Sequence, residues 1–177
     1  MLRKLKPSKG KIIVYSFIAI IWAGFIFTMS SQTYVQQDIQ PLLQRHLPIY
    51  RIEESLSTLE FNYGGESISM RESGAAGLTE FIIRKAAHLF EYIVFSWILL
   101  QLFYRGFCLS ILYSALIAIV VCFVYAGSDE FHQIFVEGRN PKLADVILDT
   151  TGAVLGVSIA SFLGFSKMRK SQRLTIN

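Results

Sequence analysis

Acids, imidazoles, amides and cations gather in three short stretches of this chain: Lys85-x-x-His88-x-x-Glu91-Tyr92, Ser128-Asp129-Glu130-x-His132-Gln133, and Arg139 with Asp145 and Asp149. Carboxylates set beside histidines suit general acid and base work, because burial and mutual repulsion draw their proton affinities together. His88, Glu91, Asp129 and His132 are therefore the candidate catalytic residues. Lys85, Tyr92, Glu130, Gln133, Arg139, Asp145 and Asp149 are the candidate ligand-binding residues, with Arg139 and neighbouring Lys142 able to clamp a phosphate or carboxylate. Pairing of those two cations with Glu137 or Asp145 is the competing expectation.

The same donors suit a divalent metal. His88-x-x-Glu91 and Asp129-x-x-His132 resemble half-motifs of carboxylate-bridged dimetal bundles, but their order differs and no His-Glu-x-x-His element occurs, so the cofactor stays unassigned. A purely structural use of the charges is the alternative: Lys85 with Glu91, and Arg139 with Asp129 or Asp149, as bridges that fix helix register. His46, alone near Arg45, reads as a surface residue.

The elements that must hold these groups are membrane helices. Hydrophobic residues make up 53% of the 177 and charged residues only 17%, a balance foreign to soluble domains. Apolar runs cover 12–30, 85–104, 109–128 and 145–165, each close to the ~20 residues that cross a ~30 Å hydrocarbon core. The fold class is an all-α membrane protein, a four-helix transmembrane bundle with a long outer loop over 31–78, and the chain reads as a single domain over 1–177. Counting from Tyr104, His88 and Glu91 lie one to two turns inside the bilayer, where ionisable groups are costly and functional by default. Asp145, Asp149, Gly152, Gly156, Ala160 and Gly164 recur at three- or four-residue steps, a small-residue stripe that predicts a tight helix interface.

Charge sets the orientation. Arg3, Lys4, Lys6, Lys9, Lys11, Arg105, Lys167, Arg169, Lys170 and Arg173 share one side, whereas all 13 acidic residues fall on the other side or in the helix halves nearest it. The positive-inside rule puts both termini in the cytoplasm of a multi-pass cell-membrane protein. The net charge of +4 follows from topology and anionic lipid headgroups, without a nucleic-acid partner. The first apolar run is too long for a cleavable signal peptide. Cys108 and Cys122, placed on one helix roughly 20 Å apart, cannot bridge, and read as buried small hydrophobes.

The outer loop carries helical spacing at Val35, Ile39, Leu42, Leu43 and Leu47, and again at Ile52, Leu56 and Leu59. These segments predict short interfacial helices interrupted by Pro41 and Pro48, with Gly64-Gly65 and Gly74 as turn or flexible chain. A solvated connector is favoured over a lid across the bundle mouth.

At these residues the chain resembles the VanZ-like family of small bacterial membrane proteins. The resemblance rests on Lys85-x-x-His88-x-x-Glu91-Tyr92, Ser128-Asp129-Glu130-x-His132-Gln133 followed by Gly138-Arg139, and Asp145-x-x-x-Asp149 with Gly152 and Gly156, and extends weakly to Ser30-Ser31-Gln32. The family pattern has a small residue or Asn where this chain has Asp149. What the resemblance implies is an integral membrane protein of the cell envelope, associated through a founding member with glycopeptide resistance, in particular to teicoplanin. It implies no established reaction. The expected partners are the lipid bilayer and a lipid-linked cell-wall precursor or glycopeptide. A non-enzymatic interaction protein acting through its outer loop is the alternative. Transport is weaker, because the inner halves of the spans hold no ionisable residue to continue a path. Oligomeric state is open.

Overall fold

The computed structural model describes residues 6–56 and 58–174, with side-chain surroundings for 6–163 apart from 50, 52 and 55–57. Helix α1 (Lys9–Ser30) leads through a tight turn at Val35–Gln37 to the short helices α2 (Gln40–His46) and α3 (Ile49–Leu56). An antiparallel hairpin of β1 (Glu60–Tyr63) and β2 (Glu66–Ser69) follows, and then the long helices α4 (Met70–Gln101), α5 (Ile111–Gln133) and α6 (Leu143–Leu174). Among the described residues four stretches are long and apolar enough to cross a membrane: Lys9–Ser30, Met70–Gly106, Ile111–Gln133 and Leu143–Leu163. Ile13, Phe17, Ile20, Leu112, Val124 and Phe162 stand exposed on their outer faces, as lipid-facing residues do. The chain is a multi-pass membrane protein built on a four-helix bundle.

The boundaries differ from the sequence expectation in physically instructive ways. The helix that carries the second span starts at Met70, well before Lys85, so the connector after α1 ends at Ser69. Ser69 caps the new start by accepting from the Glu72 N–H at 3.3 Å, a Ser-x-x-Glu signature. Gly74 then breaks the first turn with a positive φ of 66°, a conformation that costs glycine little. At 37 residues the stretch Met70–Gly106 exceeds what a ~30 Å core requires at ~1.5 Å per residue, so its first turns rise above the hydrocarbon. Helix α5 runs on to Gln133 and therefore carries Asp129, Glu130 and His132 itself. Cys108 lies in the turn before α5, with a positive φ of 57° and its Sγ donating to the Lys6 carbonyl, so the two free cysteines do not share a helix. Cys122 is fully buried, and Cys108 only partly.

The connector holds two short helices, as its spacing predicts, and a hairpin that the spacing did not predict. Pro41 occupies the first turn of α2, and Pro48 separates α2 from α3. Gly64 and Gly65, with φ of 60° and 87°, form the two-residue turn of the hairpin, where both positions demand positive φ. Ile52, Leu56 and Gly164, and the basic residues Arg3, Lys4, Lys167, Arg169, Lys170 and Arg173, lie outside the residues whose side chains are described.

Small residues set the packing. On α6, Asp145, Asp149, Gly152, Ala153, Gly156, Val157 and Ala160 are buried, and on α5 Ser114, Ala118, Cys122 and Ala126 recur every fourth residue on the buried face. A Cβ at Gly156 would sit 2.2 Å from Ser96 Oγ and 2.3 Å from the Ile93 carbonyl oxygen, and one at Gly152 would sit 2.6 Å from the Leu89 carbonyl oxygen. Helices α4 and α6 thus touch backbone to backbone, as small-residue stripes allow. They run parallel, since Leu89 meets Gly152 and, one to two turns further, Ser96 meets Gly156.

Candidate functional site

One turn above the glycine contacts, the α4–α6 seam carries charge. Lys85 Nζ donates to Asp145 Oδ1, and the same oxygen accepts from the Tyr63 hydroxyl at 2.5 Å. The Lys85 ammonium lies 4.9 Å from the Tyr63 ring centroid, so the hairpin strand β1 packs its aromatic face on the ion pair. Burial, reinforced by the hydrogen bond to Asp145, pushes the Tyr63 phenol above its ordinary pKa, which keeps it a neutral donor. One turn deeper, His88 Nδ1 stands 3.6 Å from Asp149 Oδ1, an ion-pair distance too long for a hydrogen bond. Asp149 is only 1% exposed.

Helix α5 adds a second buried set. Gln133 Nε2 donates to Ser30 Oγ at 2.9 Å and to Asp129 Oδ2 at 3.2 Å, tying α5 to the end of α1. Glu130 Oε2 accepts from the Lys142 backbone N–H at 2.8 Å, which holds the loop leading into α6. Tyr92 is wholly buried and its hydroxyl has no hydrogen-bond partner among the described residues; neither do Asp129 Oδ1, Asp149 Oδ1 and His88 Nδ1. His132 turns aside, its ring 4.6 Å from that of Phe27 on α1.

Above this seam lies a cavity of about 390 Å³, between the hairpin, α4 and the 138–145 loop. Lys85, His88, Gln133, Arg139 and Asp145 line it with Lys142, the cation expected beside Arg139, and together with Arg84 and Glu66, which the sequence pattern did not single out as site residues. The cations differ in their partners. Arg84 pairs with Glu80 at 2.6 Å, Lys85 with Asp145, and Lys142 with Glu66 across to the hairpin. Arg139 instead donates through Nε to the Gln32 carbonyl at 3.0 Å and through Nη2 to Gln37 Oε1 at 2.6 Å, both neutral acceptors. Burial and the nearby Arg84 charge lower its pKa, yet a guanidinium keeps its proton. Among the described residues no carboxylate stands within ion-pair distance of it.

The expected structural bridges do not form: Lys85 takes Asp145 instead of Glu91, and Arg139 takes neither Asp129 nor Asp149. Among the described residues, no three His, Cys, Asp or Glu side chains converge as metal ligands. Glu91 lines a different cavity, between α1 and α4, while Asp129, Glu130, Tyr92 and Asp149 sit behind the first cavity's wall as buried support. Glu80, 1% exposed, accepts from the Ile39 N–H, Gln40 Nε2 and Arg84, and so pins the start of α2 to α4. The signal for it was the Glu80-x-x-x-Arg84 spacing, readable once α4 is begun at its Ser69 cap.

No curated protein and no solved structure matches this chain. The model of one family, VanZ/LLP1, matches residues 15–164, a stretch holding all four apolar crossings in large part together with the Lys85, Asp129 and Asp145 clusters, and the chain belongs to that family.

Proposed function

We propose that this VanZ-like protein binds an anionic, lipid-linked ligand of the cell envelope in the cavity at the polar end of its bundle. The observation that carries the reading is Arg139: a half-buried guanidinium on the cavity wall whose partners among the described residues are both neutral. A buried cation without a counter-charge is costly, and a phosphate or carboxylate offered to it gains a charge-assisted, bidentate geometry. The polar end faces outward in this reading, supported by Lys6, Lys9, Lys11 and Arg105 at the opposite end. His88, on the cavity wall with Asp149 behind it at 3.6 Å, is the group to exchange a proton with bound ligand should hydrolysis or group transfer follow. An effect on susceptibility to glycopeptides such as teicoplanin would follow from capture of an envelope precursor.

The test is binding of a polyprenyl phosphate to purified protein in nanodiscs, with Arg139→Gln as the variant. Affinity should fall about tenfold or more, the worth of a charged hydrogen bond, with the fold intact. Unchanged binding in Arg139→Gln, with loss of the cellular phenotype on replacing residues 34–74, would transfer the role to the outer loop as an interaction surface.

A further inference from the structure

The second cavity, about 320 Å³ in volume, opens between the polar end of α1 and α4. Ile26, Met29, Ile39, Ile83 and Ala87 give it an apolar lining, and Glu91 lies among them. Trp22 donates to the Glu91 carbonyl at 3.0 Å, closing the two helices just below. Above that point they part. Ile83 is 42% exposed and Ala87 is exposed, so this side of the cleft opens outward from the bundle.

The two cavities adjoin. Arg84 and His88 line both, and Gln37, which holds Arg139 on the first, lines the second. Each alone is at the small end of the ~300–1,000 Å³ that ligand pockets occupy, and across Arg84 and His88 a polar chamber adjoins an apolar side opening. We propose that the cleft between α1 and α4 takes the hydrocarbon chain of a lipid phosphate whose headgroup occupies the cation-lined cavity. This rests on the anionic-ligand reading above and adds the route and orientation. Charge fixes the direction: Arg139, whose partners among the described residues are neutral, lines the first cavity and not the cleft, whereas the cleft carries Glu91 and, of the cations, only Arg84, already paired with Glu80. The ligand enters sideways from the bilayer, and its chain never leaves an apolar environment.

The experiment measures binding of three probes to the protein in detergent by native mass spectrometry: a long-chain polyprenyl phosphate, a short-chain alkyl phosphate and the long-chain polyprenol. Wild type should hold the long-chain phosphate at least tenfold more tightly than the short one, and Ala87→Phe should erase that advantage while leaving the short-chain phosphate unaffected. An advantage that survives in folded Ala87→Phe overturns the cleft. A long-chain phosphate bearing a diazirine at its chain end tests the same point in the unmodified protein: adducts on Met29, Ile83 or Ala87 support the cleft, and adducts confined to the outer face of α5 at Val120 and Val124 overturn it. Failure of the headgroup reading looks different. There the polyprenol binds as well as its phosphate and Arg139→Gln changes neither, even with adducts in the cleft.

Discussion

Helix α4 meets two partners in opposite ways. Against α6 it packs backbone to backbone through Gly152 and Gly156 and closes the polar end with the Lys85–Asp145 pair. Against α1 it packs through side chains around the buried Ala19 and Ile26, with one hydrogen bond between the two helices among the described residues, Trp22 to the Glu91 carbonyl, and a cavity opens beyond it. The first contact is stiff because no side chain lies between the backbones to rearrange. The second can widen at the cost of few contacts. The contrast teaches that the charged groups are positioned by the α4–α6 pair, while α1 is the side on which the bundle can admit something.

Overpacking the stiff seam should do the most damage. Gly156→Leu puts a branched side chain where even a Cβ would overlap Ser96 and Ile93, and we expect a loss of about 3 kcal/mol or more, read as a collapse of the detergent-unfolding midpoint. Gly24→Ala is the control on α1: a Cβ there meets nothing within 4 Å, so the midpoint should not move. If both substitutions behave alike, the contrast between the seams is wrong. Next in size is Lys85→Met, which strands a buried Asp145 with Tyr63 as its remaining side-chain donor among the described residues. The cost should be about 2–3 kcal/mol, and Lys85→Met with Asp145→Leu should recover most of it, because removing both charges removes the desolvation penalty as well. Trp22→Phe should be milder, near 1 kcal/mol for one hydrogen bond, and should spare the Lys85–Asp145 contact.

Much of the stiff half was readable in the sequence and little of the loose half. Asp145, Asp149, Gly152, Gly156 and Ala160 announce one helix face by spacing alone, because a three- or four-residue step needs no knowledge of the partner. The start of α4 was not announced by hydropathy: Arg71, Glu72, Glu80, Arg84 and Lys85 dilute the signal, and the helix there is sustained by the Ser69 cap and by burial of Ala75, Ala76 and Leu78. The hairpin has strands of only four residues, too short for alternation to register, although Gly64-Gly65 is a hairpin signal in its own right. The neutral partners of Arg139 lie more than a hundred residues away in sequence. No local pattern could have chosen them over the acids nearby.

The smallest effect tests how the hairpin is attached to the stiff pair. Glu66 reaches down from β2 to Lys142 and Asn140, and the hydrogen bond from Lys142, with its charge, holds the Glu66 carboxyl below its ordinary 4.5. A depressed carboxylate pKa contributes attachment that is complete above the unfolded value and lost as pH falls through the folded one. Hydrogen exchange at the Gly64–Glu66 tip, corrected for the intrinsic rate, should therefore stay flat from pH 8 down to about 5, since an unperturbed glutamate titrates near 4.3. It should accelerate only in more acid solution. Glu66→Gln should remove that acid step and leave exchange in α4 and α6 as it was. Because Tyr63 still anchors β1 to Asp145, the tip should loosen without release of the strand, and an acid step spreading into β1 or α4 would mean that Lys142, and not Lys85 with Asp145, is what fastens the hairpin to the bundle.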